Sequence, residues 1–151
     1  MVELSECDKE TAMYLIRNKF TDFYRRVIDQ PLLDHLMYII LFFSNLIQSN
    51  SGTQSYFVAR GLHSQLLNRC RNDNKVFGSN NTQQIFSWYL SLQIKHKEGI
   101  SPEQQEQILF FLGPLMRIQN DIEVHYQSFW IIYYYFRENG GASHKSFDNK
   151  I

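Results

Sequence analysis

WYLSL, residues 88–92, has two counterparts in the chain: LFFSN at 41–45 and WIIYY at 130–134. Their closing members, Asn45, Leu92 and Tyr134, lie 47 and then 42 residues apart. Each pentapeptide sits inside a long apolar stretch whose side chains recur at helical spacing. Leu32, Leu33, Leu36, Ile39, Ile40 and Phe43 do so around the first, and Ile85, Trp88, Tyr89 and Leu92 around the second. A recurrence on this scale, helical throughout, is the pattern of a stacked array in which each unit buries its apolar face against the next.

Working outward, Pro and Gly fall where helices should break. Pro31 suits the first turn of a helix and opens one expected over 31–48, with 49–52 as its terminator. A short helix is expected over 54–59, a sharp turn at Gly61, and a further helix marked by Leu62, Leu66, Leu67 and Cys70. The stretch 71–81 (RNDNKVFGSNN) reads as a polar loop, followed by a long helix over 81–95. Gly99, Ser101 and Pro102 separate that from 103–119, where Gly113 and Pro114 are expected to split or kink the helix. The last long helix spans 121–137; Asn139, Gly140 and Gly141 are expected to end it, leaving 140–151 as a disordered tail.

The sequence therefore divides into units of short, middle and long helix, at about 8–49, 50–97 and 101–139, within one domain of residues 1–139. No period-two strand is legible. The expected fold class is all-α, a right-handed armadillo-type solenoid of about three three-helix repeats, whose period of about 40–47 residues matches the spacing above.

Composition narrows the functions. A 151-residue chain that is 44% hydrophobic can build a sizeable core, which excludes wholesale disorder. Fifteen basic and fifteen acidic side chains cancel, so there is no net basic surface to displace counterions from nucleic acid. Cys7 and Cys70 form no CxxC pattern and read as free thiols, Cys70 in buried packing. His35, His63, His96, His125 and His144 show no HExxH spacing and no cysteine partner, so no metal and no cofactor is expected. Four acidic residues among the first ten argue against a signal peptide. The longest apolar stretch, 36–47, is broken by Ser44 and Asn45 and falls short of the roughly 20 residues of a membrane span. The expectation is a soluble intracellular protein with no membrane or nucleic-acid partner.

The three pentapeptides, in this order, resemble the central armadillo repeats of the importin-α (karyopherin-α) family of nuclear-localisation-signal adaptors. In that family the third helix of a repeat carries a tryptophan followed four residues later by an asparagine. SWYLS around Trp88 is similar to the family's SWTLSN, and FWIIYYYF around Trp130 to its CWAISYL, where Tyr134 takes the place of asparagine. Gly61 falls where the family keeps a glycine before the middle helix, and EQILFFLGPLMRI resembles its EQILPTLVRLL. The resemblance covers about residues 8–139.

What the resemblance implies is an extended peptide lying along the third helices. Asparagine amides hold its backbone, tryptophan faces flank lysine and arginine stems, and acidic residues pair with the ammonium groups. It assigns peptide binding to Asn45, Trp88, Trp130 and Tyr134. The chain departs from the pattern at Leu41, where a tryptophan is expected, and at Leu92, where an asparagine is. In place of groove acids it carries Ser49, Lys95 and Arg137. The importin-β-binding segment, the first repeats and the later repeats are expected to be absent. The implied function is capture of a peptide or protein partner, nuclear-localisation-signal cargo included, on the concave face, with weakened recognition of basic signals, in cytoplasm and nucleus.

A non-enzymatic scaffold that keeps only the fold is the competing expectation. Its uncapped ends, around Tyr14 and Ile16 on one side and from Trp130 to Phe136 on the other, would then support self-association. FTDFYRRVIDQPLL, residues 20–33, is similar to the start of a truncated globin, but no later histidine has a haem-binding setting. No Ser/His/Asp, paired-carboxylate or phosphate-cradling constellation is recognisable, so the chain is not expected to be an enzyme.

Overall fold

The computed structural model describes residues 21–29, 33–50, 52–73, 77–96, 99–119 and 121–144, with helical Glu10 and Tyr14. Its elements are α1 (Thr21–Ile28), α2 (Leu33–Ser49), α3 (Gly52–Ala59), α4 (Leu62–Asn72), α5 (Asn80–Lys95), α6 (Pro102–Met116) and α7 (Ile122–His144). There is no strand among the described residues, so the fold class is all-α. Pro31, Cys7, Ile16 and residues 145–151 lie outside the described residues, as does most of the first expected unit before Thr21.

The helices pack in two rows. The long helices α2, α5 and α7 form one row, α5 packing against α2 on one side and α7 on the other. The shorter α1, α4 and α6 form the second row, in which α4 meets both α1 and α6. Contacts of α1 with α2 and of α6 with α5 and α7 tie the rows together, while α3 bridges α2 and α4.

The sequence of α2 explains its place. Leu36, Met37, Ile39, Ile40, Phe42, Phe43, Leu46 and Ile47 are all buried, and together they cover most of the circumference. A helix apolar nearly all round is stable only when enclosed on several sides. Each such side chain contributes about 1.5–3 kcal/mol relative to exposure. Rings join the elements: Tyr24 of α1 stacks on Phe42 at 4.8 Å, and Phe43 meets Phe57 of α3 at 4.3 Å.

Boundaries follow local chemistry. Gly61 turns the chain between α3 and α4 at φ 72°, a left-handed conformation that glycine adopts without steric cost. Gly99 lies so close to α3 that a Cβ there would meet Ser55 Oγ at 3.1 Å. Ser101 and Gln104 form a reciprocal capping box at the start of α6, with Pro102 in its first turn. Asp121 caps α7, its Oδ1 accepting the backbone N–H of Glu123 and of Val124 at 3.1 Å each.

Three expectations are corrected. Gly113 and Pro114 do not split α6, which runs to Met116, so the third unit holds two described helices rather than three. Pro114 removes only the bond to the Phe110 carbonyl, and it falls in the closing turn. There the N–H groups of Arg117 and Ile118 bond the Pro114 and Leu115 carbonyls at 3.2 Å. Asn139, Gly140 and Gly141 do not end α7, which continues to His144. Glycine lowers helix propensity by about 1 kcal/mol but keeps its N–H, so the ladder can pass through it. No described helix is long and apolar enough to cross a membrane.

Candidate functional site

α5 is enclosed by both long neighbours, and several of its contact positions are small or apolar. Ser87 and Ser91 are both buried, one turn apart. Ser87 returns its hydroxyl to the Gln84 carbonyl at 2.9 Å, while the one hydroxyl hydrogen of Ser91 is shared between the Trp88 carbonyl, at 2.8 Å on its own helix, and an acceptor on α7. The small residues let α7 approach, and Ser91 Oγ also lies 2.7 Å from Gln127 Oε1. Gln127 in turn donates from Nε2 to Glu123 Oε1 at 2.8 Å. At the start of the same pair of helices, Gln84 Nε2 donates to the Asp121 carboxylate at 3.0 Å.

Further along, α5 and α7 part enough to leave a groove of about 400 Å³. Trp88, Leu92 and Lys95 line it from α5, and Tyr126, Gln127, Trp130 and Tyr134 from α7. Gln48 at the end of α2, Ser91 and His96 complete the lining. The α7 wall is preorganised: Trp130 and Tyr134, one turn apart, stack at 5.2 Å with an interplanar angle of 23°. Tyr126 and Tyr133 set their edges against Trp130 at 6.0 and 5.3 Å.

The structure thus brings together Trp88, Trp130, Tyr134 and Lys95 of the residues singled out in the sequence. Asn45 is half-buried on α2, one turn before Gln48, and is not among the lining residues. Ser49 is exposed and donates its hydroxyl to the Asn45 carbonyl at 2.8 Å, so it is turned back onto its own helix. Arg137 lies beyond the groove, its guanidinium 5.9 Å from the centre of the Tyr133 ring. Leu92 is buried and lines the groove floor with an apolar surface.

Charge is unevenly placed. Lys95 is exposed at the groove and has no ion-pair partner among the described residues. No carboxylate is in the lining; Glu123 is one hydrogen bond behind it, through Gln127. Aromatic faces, one ammonium, and amide and hydroxyl groups can hold an extended chain by stacking and hydrogen bonding. Gln48, Ser91, Tyr126 and Gln127 escaped the reading of the sequence. Only Ser91, inside WYLSL, carried any signal there.

A second polar cluster is sealed in the core. His63 Nδ1 and the Tyr89 hydroxyl are 2.9 Å apart, both residues fully buried. Burial lowers the imidazole from 6.5 to about 4 and raises the Tyr89 hydroxyl well above its ordinary value. The nearby Cys70 thiol is also pushed up by burial, so it is a packing group with little thiolate character. Among the described residues no three His, Cys, Asp or Glu side chains are grouped to hold a metal ion. Compared with family models, curated proteins and solved structures, the chain finds no match.

Proposed function

We propose that this chain is an armadillo-type array related to the importin-α adaptors, and that the groove between α5 and α7 holds an extended peptide or protein segment. The observation that carries this reading is the meeting of Trp88, Trp130 and Tyr134, drawn from two consecutive long helices, in one groove. The two-row packing with the long helices adjacent in chain order supports the array. In this reading the chain has no catalytic role and no cofactor, and it works in cytoplasm and nucleus, where its partners are peptides or proteins.

Recognition of lysine-rich signals is weakened. A peptide ammonium entering the groove finds Lys95 where an acid would serve it. Losing two charge-assisted contacts at about 1.4 kcal/mol each lowers affinity on the order of a hundredfold. The test is a peptide array probed with the purified chain, followed by calorimetry on the hits and on a simple basic signal. Binding of non-basic peptides, lost in Trp88→Ala and Trp130→Ala, is the expected result. An array without hits sinks the groove reading. A micromolar or tighter basic signal, abolished by Trp88→Ala, would keep the groove and overturn its charge preference.

A further inference from the structure

Along α7 the residues Ile122, Tyr126, Phe129, Tyr133 and Phe136 follow one another at intervals of four, three, four and three. They are 87%, 54%, 63%, 49% and 64% exposed. This is an apolar seam of period 3.5, running about 21 Å along the helix. The opposite side of α7 carries Val124, Ser128 and Ile131, all fully buried. The helix therefore has two faces with separate tasks, one holding it in the array and one standing in water. Single exposed apolar residues are ordinary, but an aligned series of five marks an interface.

The period selects the occupant's shape. A seam at 3.5-residue spacing accepts the side chains of another helix, knobs into holes, and an extended strand would not follow it. The charges at its edge select which helix. Glu123 follows Ile122 and Arg137 follows Phe136, so both lie on the same flank, at opposite ends of the seam. Arg137 is exposed, its guanidinium lying beside the Tyr133 ring of the seam. A two-fold axis near the middle of the seam sets each Glu123 beside Arg137 of the other copy, twice over. A parallel pair would forgo both attractions.

We infer that α7 is a self-recognition helix: two copies of this chain pair antiparallel through the seam from Ile122 to Phe136, with reciprocal Glu123–Arg137 contacts. The pairing uses the same self-complementary patch on both copies, as a two-fold interface must. It does not depend on the peptide reading of the groove.

Sedimentation velocity of the full chain over a wide concentration range tests it. A reversible monomer–dimer equilibrium is expected. Phe129→Glu places like charges near the axis and should leave a monomer with unchanged helicity by circular dichroism. Glu123→Arg or Arg137→Glu alone should weaken the dimer on the order of tenfold, and the two together should restore it. Tyr126 belongs to both the seam and the groove lining, so the two surfaces meet there; Trp88→Ala, on α5 and outside the seam, should leave the dimer intact. A monomer at every concentration overturns the inference. So does association that ignores Phe129→Glu, or single charge reversals that the double variant does not rescue.

Discussion

His63 Nδ1 and the Tyr89 hydroxyl, 2.9 Å apart, join α4 to α5 through a hydrogen bond that water does not reach. Burial holds the folded imidazole near 4 against an ordinary 6.5. The folded value is depressed, so between those two pH values the unfolded chain takes up a proton that the folded chain refuses. Stability is therefore full above about 6.5, declines as pH falls and levels off below about 4, a loss of about 3 kcal/mol in all. Urea unfolding at pH 7.5 and pH 5 should show it, and His63→Gln should flatten that part of the difference.

Ser91→Ala should cost about 1–2 kcal/mol, because Gln127 Oε1 loses its donor at a buried site. The Trp88 carbonyl, the hydroxyl's other acceptor, keeps its helical partner and should not add to the loss. Chemical denaturation measures the change. A double-mutant cycle with Gln127→Leu should recover most of it, since that variant removes the stranded acceptor.

Gly61→Ala should cost about 1–2 kcal/mol through the backbone alone. Its φ is 72°, and a Cβ built there meets nothing within 4 Å. Gly61→Asn, which tolerates the left-handed region better, should lose less in the same unfolding assay.

Lys95→Glu should convert the groove toward basic ligands. The substitution removes a like charge and supplies a carboxylate beside Trp88, so affinity for a lysine-rich peptide should rise on the order of tenfold or more. Calorimetry on the two proteins with one peptide reads it directly. An unchanged affinity would place the peptide's basic side chains away from α5.

Helix positions were legible in the sequence because apolar periodicity and Pro/Gly punctuation act locally. The expected 81–95 helix is α5 within one residue, and Gly61 sits at its turn. The end of α7 was not legible, since a glycine pair lowers propensity without removing a donor. Pro114 is a related case: its effect depends on distance from a helix end, which the residue itself does not encode. The groove was half legible. Trp88, Trp130 and Tyr134 lie in repeated pentapeptides, whereas Gln48 and Gln127 reach it only because α2, α5 and α7 are neighbours in space. The seam's spacing could have been counted beforehand, but which face of α7 meets solvent is decided by packing.

The position of α5 between α2 and α7 also fixes where backbone motion starts. In a row of stacked helices each element leans mainly on its neighbours, so outer members can open while the middle one stays formed. Amide hydrogens of α5 should then exchange only in the slowest, cooperative openings, while those of α7 exchange sooner through partial ones. Residues 83–94, which include most of the buried residues of α5, should be the last among the described helices to take up deuterium. On that order of opening the floor of the groove should persist longer than its α7 wall.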